Sequence, residues 1–220
     1  MSEVVDAYLK SKFPDMRGEA ASPRNIGDIK QFARDLGLFL YGLRRLDPSK
    51  GALPSFENNF AGSSLEFFEA EIDDQLQTFK TIVPRDFLLV ALEKAIKKSG
   101  KTASGWLLGN LTAKNVLVTE GKLSGILSAE RAVVGDPACD LSIAWFLFDG
   151  HVRKIFFGCA EADDAMILRA RMFALLHALK TYNSEDIDEA IQARDALSEI
   201  LEDLDYNGGD ELFDSHLPEV

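Results

Sequence analysis

Two apolar runs, Asn115–Val118 and Leu123–Leu127, flank a Glu120-Gly121 pair in a chain whose other apolar residues mostly follow helical spacing. Glycine supplies the positive φ that a two-residue turn needs, so this stretch reads as a β-hairpin. A polar loop, Gly109 to Asn115, precedes the first strand. Gly135-Asp136-Pro137 follows the second, where aspartate can cap a helix and proline can open its first turn. A short hairpin with polar loops at both ends, held between helices, is a frame on which a site can be built.

The remaining segments predict helices. Val4, Val5, Tyr8 and Leu9 allow a short one, and Phe13–Glu19 reads as a turn-rich connector. From Ile26 to Leu46 the apolar residues recur at three and four, and Asp47-Pro48 ends the run. Residues 47–63 form a loop whose Phe56 and Phe60 are expected to tuck it onto the body. Helices are predicted from Ser64 and from Pro84, the latter ending in Lys94, Lys97 and Lys98, with Lys101 in the following loop, a solvated basic end favoured by the helix dipole. The apolar run Leu141–Phe148 predicts a buried central helix. Residues 151–160, Asp164–Tyr182 and a last helix capped by Ser184 and running through Leu204 complete the body. The domain reading is a connector segment over 1–25, a body over 26–205 and an acidic flexible tail over 206–220. The fold class is mainly α with one small β-hairpin.

The chain has 220 residues, 46% hydrophobic and 27% charged, enough for a sizeable core. Its formal net charge of −12 argues against a nucleic-acid partner, since phosphate binding needs clustered Lys and Arg. No apolar run reaches the roughly 18 to 20 residues of a membrane span, and the N-terminus lacks the basic and apolar regions of a signal peptide. A cytoplasmic location follows. Cys139 and Cys159 read as small buried hydrophobes, and Trp106 and Trp145 as core. His177, on an apolar helical face, reads as a core histidine rather than a ligand.

The central stretch resembles the catalytic core of the aminoglycoside phosphotransferase and choline-kinase-like family, distant relatives of the protein kinases. That family shows H-G-D-x-H-x-x-N, then two strands ending I-D-[WF], then G-D-P-x-x-D-L-A. Here the blocks read Leu108-Gly109-Asn110-Leu111-Thr112-Ala113-Lys114-Asn115, Ile126-Leu127-Ser128-Ala129 and Gly135-Asp136-Pro137-Ala138-Cys139-Asp140-Leu141-Ser142. The resemblance covers about residues 18–182 and implies a protein-kinase-like large C-terminal lobe. The family's nucleotide-covering small lobe has no counterpart in the roughly 20 residues before the connector, and no glycine-rich phosphate loop motif occurs.

Residue by residue, the resemblance places Asn110 where the catalytic aspartate stands. An amide takes no proton at neutral pH, and loss of a positioned base costs about 10²–10⁴ in rate. Asn115 keeps the family's neutral metal ligand, and Ser128 stands where the anionic one would be. Magnesium prefers carboxylate oxygen, so this pair is a poor substitute. Glu130, two residues on, is the candidate for a displaced ligand, set against a solvent-facing acid beside Arg131. Gly109, Gly135, Asp136, Pro137 and Asp140 keep structural roles, with Asp136 capping a helix and Asp140 bonding the loop backbone near Asn110.

Two function classes stay open. The first is a non-catalytic binding or interaction module with no cofactor, its partner or a second copy covering the face that the small lobe occupies in the family. The second is an active ATP- or GTP-dependent kinase for a hydroxyl substrate, using Mg²⁺ and either Glu130 or a lobe supplied by another chain.

Overall fold

The computed structural model describes residues 3–98, 104–109, 111–127 and 131–206. Asn110, Ser128, Glu130, Lys101 and the tail from 207 onward lie outside the described residues, and so do the expectations made for them.

The connector is held at both ends. Helix α1, Glu3–Lys12, packs on α2, Ile29–Arg44, where the Tyr8 hydroxyl donates to the Phe39 carbonyl at 2.9 Å. Helix α2 begins three residues later than its apolar spacing suggests, because Asp28 accepts from the Lys30 and Gln31 amides and fixes the first turn there. Between them Glu19–Ala20 forms strand β1, which pairs antiparallel with β3, Val116–Thr119. Strand β4, Lys122–Ile126, completes the sheet in the order β1-β3-β4. Glu120 and Gly121 have φ of 51° and 78°, the two positive values of a type I′ turn.

A second ladder was not legible in the sequence. Strands β2, Gly105–Leu107, and β5, Val133–Gly135, pair antiparallel with Trp106 opposite Val134. All six residues are buried, so neither strand shows the alternation by which a half-exposed strand is recognised.

The Leu141–Phe148 run is not one helix. It forms two single turns, α5 (Ala138–Leu141) and α6 (Ala144–Leu147). Here the backbone bonds run from i to i−3, as in Asp140 to Pro137 and Trp145 to Ser142. The Ser142 hydroxyl also donates to the Cys139 carbonyl at 2.6 Å, offering that carbonyl an alternative partner to the helical amide. Both turns remain buried, as their apolar composition requires.

Helices α3 (Glu69–Thr78) and α4 (Arg85–Lys98) precede β2. Helices α7 (Gly150–Cys159), α8 (Asp164–Thr181) and α9 (Ile187–Asp203) follow α6. Helix α2 packs on α7, and α8 lies against α3, α4, α5 and α9. Helix α8 is therefore buried nearly all round rather than along one stripe. The cap of α9 is Asp186, which accepts from the Asp188 and Glu189 amides, and not Ser184, whose hydroxyl bonds Glu189 instead. Phe56 does not tuck the 47–63 loop onto the body, being 84% exposed. The loop is held through backbone bonds, Val134 N–H to the Ala52 carbonyl and Asp136 N–H to the Gly62 carbonyl, both 2.8 Å, and by the Trp106 indole donating to the Asp47 carbonyl. Phe60 lies against Phe67 at the loop's end. No helix among the described residues is long and apolar enough to cross a membrane.

Candidate functional site

The 109–115 loop is fixed from below by a carboxylate. The Leu108 and Gly109 amides donate to Asp140 Oδ2 and Oδ1 at 2.6 and 3.0 Å. Burial pushes the Asp140 carboxyl up to about 6, against the opposing pull of these two donors. The folded state therefore holds a proton on Asp140 between its ordinary 3.8 and about 6, where the unfolded chain has released it. The stabilisation from that bound proton is present below 3.8 and lost as pH rises through about 6. Asp140→Asn removes this titration. The melting-temperature advantage of the wild type over Asp140→Asn is expected to shrink from pH 4 to pH 7, and a constant difference would contradict it.

Asp136 does more than cap α5. Its Oδ1 accepts from the Ala138 amide at 3.0 Å, and its two oxygens also receive the Arg169 Nε and Nη2 at 2.6 and 3.2 Å. Both side chains are buried, 3% and 4% exposed. Arg169 escaped sequence reasoning, and its sole trace there is an arginine inside the apolar run of α8. Gly135, just before Asp136, allows the 47–63 loop to approach: a Cβ on Gly135 would lie 2.2 Å from the Gly62 carbonyl oxygen. Pro137 follows in helical conformation, φ −65°, and leads into α5.

Asn115 is turned into its own loop. Its Oδ1 accepts from the Thr112 amide at 2.8 Å and the Thr112 hydroxyl at 3.0 Å. An amide oxygen has two lone pairs, so both are engaged by protein donors. The same Ser/Thr-x-x-Asn turn recurs where no metal chemistry is at issue. Asn25 accepts from the Ser22 amide at 2.9 Å and Asn58 from the Ser55 amide at 2.8 Å, with each Nδ2 donating back to a carbonyl. Asn115 is thus accounted for as a turn residue. Among the described residues the Asn115 amide oxygen is engaged by Thr112, and Asp136 and Asp140 are committed to Arg169 and to the loop amides, so none of these three offers Mg²⁺ a free oxygen pair.

Beside this loop lies a cleft of about 480 Å³. Gly109 and Leu111–Lys114 form one wall, Asn58, Asn59 and Ala61 a second, and α8 and α9 a third through Leu176, His177, Lys180, Glu189 and Gln192. Phe68, Phe146 and Phe173 give it an aromatic lining. His177 is not a core residue. It faces the cleft edge-on to Phe146, centroids 4.8 Å apart, and burial lowers its pKa, keeping the ring neutral at physiological pH. Cys139, half-buried, also lines the cleft. Its thiol is pushed up to about 12, chiefly by burial and then by Asp140, so it is a neutral group and not a nucleophile. Lys114 bridges Asp186 and Glu189, each at 2.9 Å. Those hydrogen bonds raise the lysine pKa and help to lower the two carboxyls.

A paired hairpin, a loop pinned by Asp140 and a capped Gly-Asp-Pro turn beside a helical cleft define the large lobe of a protein-kinase-like phosphotransferase. Residues 11–173 match the profile of the phosphotransferase enzyme family (APH), and the chain belongs to that family. Among solved structures, wild-type aminoglycoside 2'-phosphotransferase-IIIa in its GDP complex is similar at 15% identity with a TM-score of 0.59, over 86% of this chain and 69% of that one. Macrolide 2'-phosphotransferase MphH from Brachybacterium faecium is similar at 16% identity and a TM-score of 0.52, over 88% of this chain and 79% of that one. At these identities the likeness is one of fold. No curated protein sequence matched the chain.

Proposed function

We propose that this chain is a non-catalytic member of the phosphotransferase family, which binds a small organic molecule in the cleft beside the 109–115 loop and does not phosphorylate it. The observation that carries the reading is Asn115, whose side-chain oxygen is spent on Thr112. Asn110 and Ser128 in the sequence add two uncharged groups where the family's mechanism uses carboxylates. The cleft supports retained binding, since its size lies within the range of ordinary ligand pockets and its lining is aromatic with a few polar groups.

The test is a phosphoryl-transfer assay with Mg²⁺ and ATP or GTP against an aminoglycoside, a macrolide and simple alcohols. No product above the uncatalysed background is expected. A thermal melt with Mg-ATP is expected to show no upward shift, because only a ligand of the native state raises the melting temperature. Enzyme-dependent phosphorylation of any acceptor would overturn the proposal in favour of an active kinase.

A further inference from the structure

The charged side chains that line the cleft do not share the acidic excess of the chain. The chain has 24 Lys and Arg against 36 Asp and Glu. The described lining has Lys114, Arg131 and Lys180 against Glu189 alone. Lys114 is shared between Glu189 and Asp186, and Glu189 accepts a hydrogen bond from Ser184 as well. Lys180 is paired with Glu71 at 2.6 Å. Arg131 is exposed and has no ion pair among the described residues. A polycation entering this cleft would meet Arg131 and would have to displace Lys114 or Lys180 to reach a described carboxylate. An anion would meet an available guanidinium, whose fork of donors matches a carboxylate. Phe146, Phe173 and the neutral His177 ring line the same cleft and offer it apolar ring surface.

We infer that the cleft selects an aromatic or otherwise flat apolar small molecule carrying an anionic group, with its ring on Phe146 and Phe173 and its anion at Arg131. This rests on the reading of the cleft as a ligand site and names the class of ligand it takes. The expected preference is the reverse of what a cationic amino sugar would require.

The experiment uses three probes of one shape on the full chain, 2-naphthoate, 2-naphthamide and 2-naphthylmethylamine, measured by calorimetry. Naphthoate is expected to bind most tightly and the ammonium probe most weakly. Added KCl should weaken naphthoate and leave the amide unchanged. Arg131→Glu, at an exposed position, is expected to weaken naphthoate about fivefold or more and to improve the ammonium probe. Tighter binding of the amine than of naphthoate, or naphthoate affinity indifferent to both salt and Arg131→Glu, would overturn the ligand class and leave the cleft as a binding site. No saturable binding by any probe would overturn the cleft itself and both readings with it. Phosphorylation of an alcohol in the assay above would remove only the non-catalytic reading, so the failures are distinguishable.

Discussion

Replacing Arg169 with methionine is expected to destabilise the fold by about 3–5 kcal/mol, the usual result of removing one partner from a buried ion pair. The methionine fills the space, so the loss comes from Asp136. Its carboxylate is 3% exposed and would keep the Ala138 amide as its remaining side-chain partner. Asp136 also sits where three pieces of chain meet. Its own amide donates to Gly62 in the 47–63 loop, its side chain starts α5, and Arg169 ties it to α8. In a thermal melt the loss corresponds to roughly 6–20 °C for a chain of this size. The double variant Arg169→Met with Asp136→Asn should recover most of it, because an amide still accepts from Ala138 and carries no charge to bury. A single-variant loss below about 1 kcal/mol, or no recovery in the double variant, would show that the pair does not hold the junction.

That junction also marks the limit of what could be read from the sequence. The hairpin and its turn were legible because Glu120-Gly121 between two apolar runs has few other solutions. The helices were legible from their spacing, with errors at their ends where a particular aspartate, Asp28 or Asp186, selects the first turn. Gly109, Gly135, Asp136, Pro137 and Asp140 stood out through the resemblance of their blocks, and their partners follow from the geometry. Arg169 was not legible, because nothing local distinguishes an arginine that reaches a carboxylate 33 positions away from one that points to solvent. The same holds for Trp106 opposite Val134, a pairing settled by the third dimension and hidden by burial on both faces. The cleft was missed for a related reason. His177, Phe146 and Phe173 follow core-like spacing, and a concave wall lined with apolar residues has the same periodicity as a core.

Trp145→Ala is the second substitution expected to have a large effect, a loss of about 3–5 kcal/mol from cavity formation and more from the polar groups it leaves behind. Trp145 is 2% exposed, and its indole N–H donates to Asp203 Oδ2 at 2.9 Å. Asp203 is the last residue of α9, where the helix dipole disfavours an anion. It is kept there by Trp145, by Arg153 Nη2 at 2.7 Å and by Arg171 at 3.5 Å. Both guanidiniums also lie over the indole face, at 5.6 and 5.7 Å from its ring. The alanine would remove the ring that both guanidiniums lie over, and with it the cation–π contact of Arg171, whose buried Nε has no hydrogen-bond partner among the described residues. Since α9 carries Glu189 and Gln192 into the cleft, loosening its far end should be felt there. Amide exchange is expected to accelerate along α9 before the β1-β3-β4 sheet is affected, and naphthoate affinity should fall with it. Trp145→Phe keeps a ring but not the N–H, so its loss should be clearly smaller than that of the alanine variant. Equal losses in the two variants would place the stabilisation in the Asp203 hydrogen bond alone. Unchanged exchange in α9 would show that this cluster does not dock the helix that closes the cleft.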